Sequence, residues 1–263
     1  RFFDVLERAL YNGVLAGVYL SGDKFFYPNP LQADGRRRFN HGANRRVGWF
    51  GCPCCPVNLV RVIPQAPGLL YATTDDSVYV NLFAAGRGEL AVGSRKLTLT
   101  PETDYPWRGR VTIIVDPGDE PIEFTLRVRV PGWAIGRPVP GDLYRYADAD
   151  TAGPPVALKV NGQPTRVAIE KGFAVLRRRW RAGDRIELDL PMPVRRVLAH
   201  DAVKEDAGKV ALQRGPLVYC LEGADHGGKC LHLVLPDSAE LRAEHRSDLL
   251  GGLTVLRARG QSA

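Results

Sequence analysis

The stretch RVTIIVDPGDEPIEFTLRVRVPGW, residues 110–133, decides the fold class of this chain. It contains two short runs, 110–117 and 122–133, in which β-branched residues predominate or apolar and polar residues alternate. Proline, glycine and aspartate, which favour turns, lie between the two runs. Short runs with turn residues at their ends are typical of β-strands. The stretch therefore predicts a β fold.

The same pattern recurs along the chain from Leu69 onward. It is found in these segments: 77–85, 95–101, 110–117, 122–133, 156–165, 172–180, 185–200 and 209–222. Short strands with turn signals between them predict one or two antiparallel β-sandwiches. The sequences NGQP (161–164) and RAGDR (181–185) are predicted to form hairpin turns.

The first 68 residues follow a helical pattern instead. Residues 1–20 place apolar side chains near a helical period, which predicts an amphipathic helix. Pro56 suits the first turn of a second helix, because the N–H that proline lacks would be unpaired there anyway. Two prolines further along the chain end this second helix. The predicted fold class is mixed α then all-β, with helices in residues 1–68 and a β-sandwich region in residues 69–263.

Composition and charge fit a globular protein without a nucleic-acid or membrane partner. The 263 residues, of which 44% are hydrophobic, can bury the core of one large or two modest domains. The net charge of +7 comes mainly from arginine clusters spread along the chain, without a helix-turn-helix or zinc-finger pattern. No apolar run approaches the roughly 20 residues that span a bilayer. No secretory signal is visible either, so we expect a cytoplasmic protein.

Three of the five cysteines, Cys52, Cys54 and Cys55, are crowded into the stretch GWFGCPCCPVNLVR, residues 48–61. Cys55 is predicted at or just before the N-cap of the second helix, where free N–H groups and the helix dipole favour a thiolate. A thiolate is a nucleophile and also a zinc ligand, so both interpretations stay open. Adjacent cysteines cannot easily ligate one zinc ion with a relaxed backbone, and CxCC lacks the spacing of a zinc knuckle. Buried small side chains or an incidental disulfide are the plain alternatives.

The other two cysteines give weaker signals. Cys220 lies among strand residues, which predicts a buried core thiol. Cys230 and His232 form a CxH pair in a glycine-rich loop, which is a weak metal signal. His41 is predicted to be a loop residue with ordinary hydrogen bonds.

Six separated blocks of the chain together resemble one protein family. They are FFDVLERALYNGVLAGVYLSGDKFFYPNPL, WFGCPCCPVNLVR, VYVNLFAAG, DYPWRGRVTI, GDRIELDLPMPVRRVLAH and GKVALQRGPLVYCLE. In this order, over nearly the whole chain, they are similar to the C-terminal half of the β-L-arabinofuranosidases of glycoside hydrolase family 127. The resemblance implies that residues 1–68 are the end of an (α/α)6 barrel and that β-sandwich domains follow in residues 69–263.

The resemblance also implies a mechanism and a set of site residues. It implies a retaining glycosidase with a cysteine nucleophile held on zinc in place of the usual carboxylate. Cys54 matches the nucleophile and Cys55 a zinc ligand, so both Cys54 and Cys55 are expected to bind Zn²⁺. Cys52 matches a cysteine with a supporting role. Tyr27 matches a tyrosine that lies near the sugar, and the implied partner is an arabinofuranoside-type carbohydrate.

Other parts of the implied site lie outside this chain. The family's acid/base Glu and its two further zinc ligands, a Glu and a Cys one residue apart, lie upstream of the helix that opens the sequence. The chain also begins at Arg1 rather than Met. We therefore expect a piece of a larger enzyme, with an incomplete zinc site and no activity by itself. Glu7 lies on a predicted helix face and is assigned no catalytic role.

Two functions of other classes stay open. One is a non-catalytic carbohydrate-binding or interface β-module, in which Trp107, Trp133 and Trp180 would offer stacking faces for sugars. The other is a thiol redox or zinc-storage protein, and the lack of a βαβ pattern argues against it. The oligomeric state is also open, with a homodimer among the options.

Overall fold

Strands dominate the computed structural model, which describes residues 1–148 and 155–262. Within these ranges the strands are β1 Tyr71–Thr73, β2 Ser77–Val80, β3 Gly88–Val92, β4 Arg95–Thr103, β5 Arg110–Asp116, β6 Ile122–Arg129, β7 Tyr144–Tyr146, β8 Ala157–Val160, β9 Gln163–Pro164, β10 Ile169–Glu170, β11 Phe173–Trp180, β12 Asp184–Asp189, β13 Val194–Ala199, β14 Ala211–Arg214, β15 Leu217–Tyr219, β16 Leu233–Val234, β17 Arg242–Arg246, β18 Leu253–Arg257 and β19 Gln261–Ser262. Every segment that the sequence predicts as a strand contains at least one of them. The prediction of a mainly β fold is therefore confirmed.

Two short α-helices are described, α1 over Phe2–Ala9 and α2 over Pro56–Gln65. The helix predicted over residues 1–20 is longer than α1, because the backbone widens into a π-helical turn at Leu10–Val14. It then tightens into a 3₁₀ turn at Leu15–Gly17. The second helix begins at a proline, as predicted. No helix in the described ranges is long and apolar enough to cross a membrane.

The chain is organised as two units, each assembled from separate stretches of sequence. The first comprises Arg1–Glu7, Ala66–Val210 and Arg214–Pro216, and the second comprises Arg8–Gln65, Ala211–Gln213 and Leu217–Ala263. The division into residues 1–68 and 69–263 that the sequence suggests stays a prediction.

Two large sheets form most of the first unit. One has the strand order β1-β2-β6-β11-β10 and the other has the order β3-β4-β5-β12-β8-β9. Neighbouring strands in these two sheets are antiparallel except β2 and β6, which run parallel with Val78 opposite Leu126. The purely antiparallel arrangement predicted from the sequence is therefore wrong at this pair. The chain forms β3, β4 and β5 between them, and so long a connection allows two strands to run in the same direction.

Consecutive strands do not always share a sheet. β11 ends at Trp180 in the five-stranded sheet, and β12 begins at Asp184 in the six-stranded sheet. RAGDR is thus a corner between sheets, and the prediction of a hairpin there is wrong. The NGQP hairpin is confirmed, because β8 pairs with β9 and both Asn161 and Gly162 have positive φ, at 51° and 77°. Positive φ at both central residues is typical of the tight turns that join antiparallel strands.

Alternate strand residues supply the core of the first unit. On β5, Val111, Ile113 and Val115 are fully buried, and the residues between them are half-buried. This period of two is what a sheet with one face on the core produces. Trp180, at the end of β11, is also fully buried, and its indole N–H donates to the Phe124 carbonyl at 3.1 Å.

The second unit is held by short pairings. β16 pairs with β19 and β17 pairs with β18. Phe25 forms single backbone bridges with Val18 and with Val47. Cys220 directly follows β15 and is exposed, so the prediction of a buried core thiol is wrong. β15 is a three-residue strand at the edge of its sheet, and an edge leaves the residues that follow it open to solvent.

A buried ionic cluster joins α1 to β6 within the first unit. The guanidinium of Arg129 forms an ion pair with Glu7 and a second with Asp4, the latter at 2.9 Å. The carboxylate of Glu7 also accepts hydrogen bonds from the Tyr105 hydroxyl at 2.5 Å and the Trp133 indole at 3.2 Å. Burial alone would lower the pKa of Arg129, but the surrounding negative charge outweighs burial and raises it. The cluster therefore offsets the cost of burying the charge of Arg129 by placing two carboxylates beside it.

We expect Arg129→Met to destabilise the protein by about 3–5 kcal/mol, because the buried carboxylate of Glu7 would lose its counter-charge. Urea unfolding followed by circular dichroism measures the change. Arg177→Ala is the matched control, since the ion pair of Arg177 with Glu123 is exposed on both sides and is worth less than about 1 kcal/mol. Equal stability of the two variants would contradict a structural role for the cluster.

Candidate active site

The three clustered cysteines lie in the turn that leads into α2. The backbone N–H of Val57 donates to the Pro53 carbonyl at 3.1 Å, and that of Asn58 donates to the Cys55 carbonyl at 3.0 Å. The Asn58 side-chain amide also donates to the Cys54 carbonyl, at 3.0 Å. These bonds close the first turn of the helix around the cysteine residues, so the predicted position of the thiols at a helix start is confirmed.

The thiols of the block are free and open to solvent. Cys52, Cys54 and Cys55 are all exposed, and none of them forms a disulfide. The alternatives of buried small side chains and an incidental disulfide are therefore wrong. Exposure at a helix start leaves these sulfur atoms available for chemistry or for metal binding.

The closest partner of the block is a tyrosine that is distant in sequence. The hydroxyl oxygen of Tyr27 lies 2.6 Å from the sulfur of Cys54. This hydrogen bond lowers the pKa of Cys54, and hydrogen bonds from Cys52 and Cys55 lower it further. The hydrogen bonds with Cys54 and Cys55 raise the pKa of Tyr27. The shared proton therefore stays on the phenol, and Cys54 is the group that ionises.

The backbone of Tyr27 is held by a buried asparagine. The side-chain carbonyl of Asn40 accepts a hydrogen bond from the Tyr27 N–H at 2.7 Å. The side-chain amide of Asn40 donates to the carbonyls of Phe25 at 3.1 Å and Arg45 at 2.8 Å. Asn40 is fully buried, so these bonds are made away from competing water. One side chain thus ties three parts of the loop together around Tyr27.

Two rings pack against the ring of Tyr27. The imidazole of His41 has its centroid 4.3 Å from that of the phenol ring, and the ring of Phe50 is at 5.3 Å. The rings of His41 and Phe50 are also 5.3 Å apart. Sequence reasoning missed Asn40 and Phe50 and treated His41 as an ordinary loop residue. No local pattern marks these three residues, because their contacts with Tyr27 span 13 to 23 positions along the chain.

The part of the site described here is incomplete as a metal centre. In residues 1–148 and 155–262, no three His, Cys, Asp or Glu side chains are grouped so that they could hold a metal ion. Cys54 and Cys55 provide two adjacent thiols, which are the soft donors that zinc prefers. The donor chemistry fits zinc, but a tetrahedral site needs two more ligands.

The remaining cysteines take no part in this arrangement. The thiol of Cys230 donates to the carbonyl of Leu221 at 3.8 Å. Burial of its sulfur raises the pKa of Cys220, although the residue as a whole is exposed. The CxH pair of Cys230 and His232 is not part of any metal-binding group among the described residues.

Three domain models of one protein family match the chain in succession. The GH127 catalytic domain of β-L-arabinofuranosidase matches residues 1–68, and the GH127 middle domain of the same enzymes matches residues 77–192. The C-terminal domain of glycoside hydrolase family 127 matches residues 194–254. The chain belongs to glycoside hydrolase family 127. The resemblance seen in the six sequence blocks is thereby confirmed.

Relatives of this family 127 chain are similar in both sequence and structure. A non-reducing end β-L-arabinofuranosidase from Bifidobacterium longum subsp. longum is 35% identical over 97% of this chain and 37% of its own length. The solved structure of a GH127 β-arabinofuranosidase is 39% identical, with a TM-score of 0.89, over 99% of this chain and 39% of that one. A GH127 β-L-arabinofuranosidase from Geobacillus stearothermophilus T6 is also 39% identical, with a TM-score of 0.84, over 98% and 39%. The chain thus spans less than two fifths of the length of these relatives.

We expect iodoacetamide to label Cys54 faster than Cys220 at pH 7 in chelator-treated protein. The pKa of Cys54 is lowered by Tyr27 and that of Cys220 is raised by burial, so the thiolate fraction at neutral pH is larger at Cys54. As the pH falls, labelling of Cys54 should persist to a lower pH. Mass spectrometry of the labelled peptides measures both rates.

Tyr27→Phe tests directly whether the Tyr27 hydroxyl lowers the pKa of Cys54. Loss of the hydroxyl should move the pH profile of Cys54 labelling to higher pH, while Tyr19→Phe, at an exposed tyrosine of the same unit, should leave it in place. An unchanged profile in Tyr27→Phe would show that the tyrosine does not govern the thiol.

Proposed function

We propose that this chain is part of a retaining glycosidase that acts on β-L-arabinofuranosides or related sugars, with Cys54 as nucleophile. The observation that carries the proposal is the contact of 2.6 Å between the Tyr27 hydroxyl and the Cys54 sulfur. It stabilises the thiolate of an exposed cysteine, which is the state that attacks carbon. Family membership and the activities in the names of the relatives support the same reaction.

The proposed reaction has two displacements at the anomeric carbon. In the first, the Cys54 thiolate forms a C–S bond as the glycosidic C–O bond breaks, and a general acid gives its proton to the leaving oxygen. In the second, water attacks the same carbon, its proton passes to the general base, and the C–S bond breaks to return the thiolate. Two inversions give net retention, as in glycosidases with a carboxylate nucleophile.

The general acid/base is proposed to come from a part of the protein outside this chain. Glu7 is the fully buried carboxylate of α1. Its oxygens accept hydrogen bonds from Arg129, Tyr105 and Trp133. A carboxylate paired in this way has no free oxygen to offer a substrate. Its assignment to a structural role follows from these bonds.

We also propose that Cys54 and Cys55 would hold a zinc ion, with the further ligands supplied from outside the chain. When bound, zinc would keep the Cys54 sulfur deprotonated and oriented. The described residues act on Cys54 whether or not the metal is bound. Tyr27 directs a proton donor at the sulfur, and the helix-start turn fixes the backbone of Cys54.

We propose that α1 and α2 complete a helical barrel with segments outside this chain. On α1, Phe2 is 78% exposed and Val5 is 55% exposed, and on α2 Val60 and Val62 are open to solvent. Phe2 and Val5 are three positions apart and share one face of α1, and exposed apolar side chains of this kind on short helices are what helix packing normally covers.

A non-catalytic β-module that stacks sugars on tryptophan is not favoured. Trp133 and Trp180 are buried, and each donates its indole N–H inside the protein, to Glu7 and to the Phe124 carbonyl. Two of the three tryptophan rings considered as stacking faces for sugars are thus packed inside the core.

We expect Cys54→Ser in the complete gene product to abolish turnover of an aryl β-L-arabinofuranoside. A serine hydroxyl is a much weaker nucleophile than a thiolate, and loss of a covalent nucleophile normally costs several orders of magnitude. Release of the aryl group is followed spectrophotometrically. Cys220→Ser, which removes a thiol outside the block, should be fully active. More than about a tenth of the parent activity in Cys54→Ser would contradict the cysteine mechanism.

We expect about one zinc ion per chain in the complete gene product, and substantially less in Cys55→Ser, because a tetrahedral site would lose one of its four ligands. Elemental analysis after gel filtration measures the content. Cys230→Ser is the matched control and should keep the metal. A parent protein that contains no zinc would contradict the metal part of the proposal and leave the test of Cys54 independent of it.

A further inference from the structure

The contact between Tyr27 and Cys54 needs more than its own hydrogen bond to persist. A tyrosine ring turns about two side-chain torsions, and the Asn40 hydrogen bond fixes only the backbone of Tyr27. The position of the hydroxyl therefore depends on what packs against the ring. His41 and Phe50 do so, and we call these two residues the aromatic clamp.

His41 is the exposed half of the aromatic clamp. Phe50 is buried and belongs to the core of its unit, whereas His41 is open to solvent. In residues 1–148 and 155–262, the imidazole of His41 makes ring contacts with Tyr27 and Phe50 and no hydrogen bond. Its ring contacts are therefore with Tyr27 and with Phe50, the other member of the aromatic clamp.

The backbone of His41 is held in a conformation that few residues adopt. Its φ is 49°, in the left-handed region, and that of Gly42 is 90°. Asn40 and Ala43 close this loop tip through two backbone hydrogen bonds of 2.8 and 3.1 Å. A residue other than glycine is strained in this region, and such a conformation persists where surrounding bonds enforce it. The loop tip thus holds a residue with a bulky ring in a backbone conformation that glycine would adopt with less strain.

We propose that His41 is a positioning residue that packs on the ring of Tyr27 and keeps its hydroxyl within hydrogen-bond reach of Cys54. The kinetic test of this inference rests on the proposed function, whereas the structural test rests on geometry alone. His41 acts through Tyr27, so the shape of its ring matters and its nitrogen atoms do not. Replacing it with another flat ring should preserve the effect.

The kinetic test compares five variants of the complete gene product on an aryl β-L-arabinofuranoside. His41→Ala should lower kcat by about ten- to a hundredfold with little change in KM, as expected when a catalytic group is misplaced. His41→Phe should restore most of the activity. His41→Ala combined with Tyr27→Phe should be no slower than Tyr27→Phe alone, because both changes act on one contact. His245→Ala, at an exposed histidine on β17, should behave as the parent.

Three kinetic results would overturn the inference. They are unchanged kcat in His41→Ala, equal loss in His41→Phe and His41→Ala, and a double variant whose losses multiply. Failure of the proposed function gives a different pattern. In that case the parent itself does not hydrolyse the substrate, or Cys54→Ser retains activity.

A crystal structure of His41→Ala tests the inference without any activity. We expect the Tyr27 hydroxyl to move beyond hydrogen-bond distance of the Cys54 sulfur, or to occupy two positions, with Asn40 unchanged. His41→Phe should keep the contact at the parent distance. A Tyr27 hydroxyl that stays on Cys54 in His41→Ala would show that Phe50 and Asn40 suffice, and it would overturn the proposal.

Discussion

The charge of Arg129 is the constraint on which the first unit depends. A guanidinium keeps its charge when it is buried, so its burial is costly unless negative groups lie beside it, and Asp4 and Glu7 meet that condition. These carboxylates are three positions apart, so they share one face of α1 and reach the same cation. Rotating or withdrawing the helix would leave buried charges unpaired. The ion pairs therefore fix which face of α1 meets β6, which packing of apolar residues alone would leave adjustable.

The second unit solves a different problem, which is to hold a reactive thiol at the surface. Exposure keeps Cys54 accessible, but an exposed thiol is ordinarily protonated at neutral pH. The Tyr27 hydroxyl shifts the balance toward the thiolate by donating to the sulfur, and Asn40 holds the backbone of Tyr27 while the aromatic clamp packs on its ring. Asn40 and Phe50 are buried, while His41 and the sulfur of Cys54 are open to solvent. This division combines an accessible nucleophile with a defined geometry.

Family membership and local geometry support the proposed function independently. The domain models show what the chain is related to, and the relatives are enzymes more than twice its length. The geometry supports a function for specific atoms, a thiol with a lowered pKa beside a proton donor. The same geometry argues against a thiol redox protein. The three clustered cysteines are free and lie before a helix rather than in a βαβ unit.

The sequence by itself determined the features that depend on neighbouring residues. Alternation predicted the strands, Pro56 marked the start of α2, and the crowded cysteines marked the site. Tertiary structure alone decided the parallel pairing of β2 with β6, the corner at RAGDR, the exposure of Cys220 and the contacts of Tyr27 with Asn40 and His41. Strand propensity and turn residues are local, so they show where the chain extends or bends. Which strand or side chain it then meets depends on the packing of distant segments, and no local pattern encodes that choice.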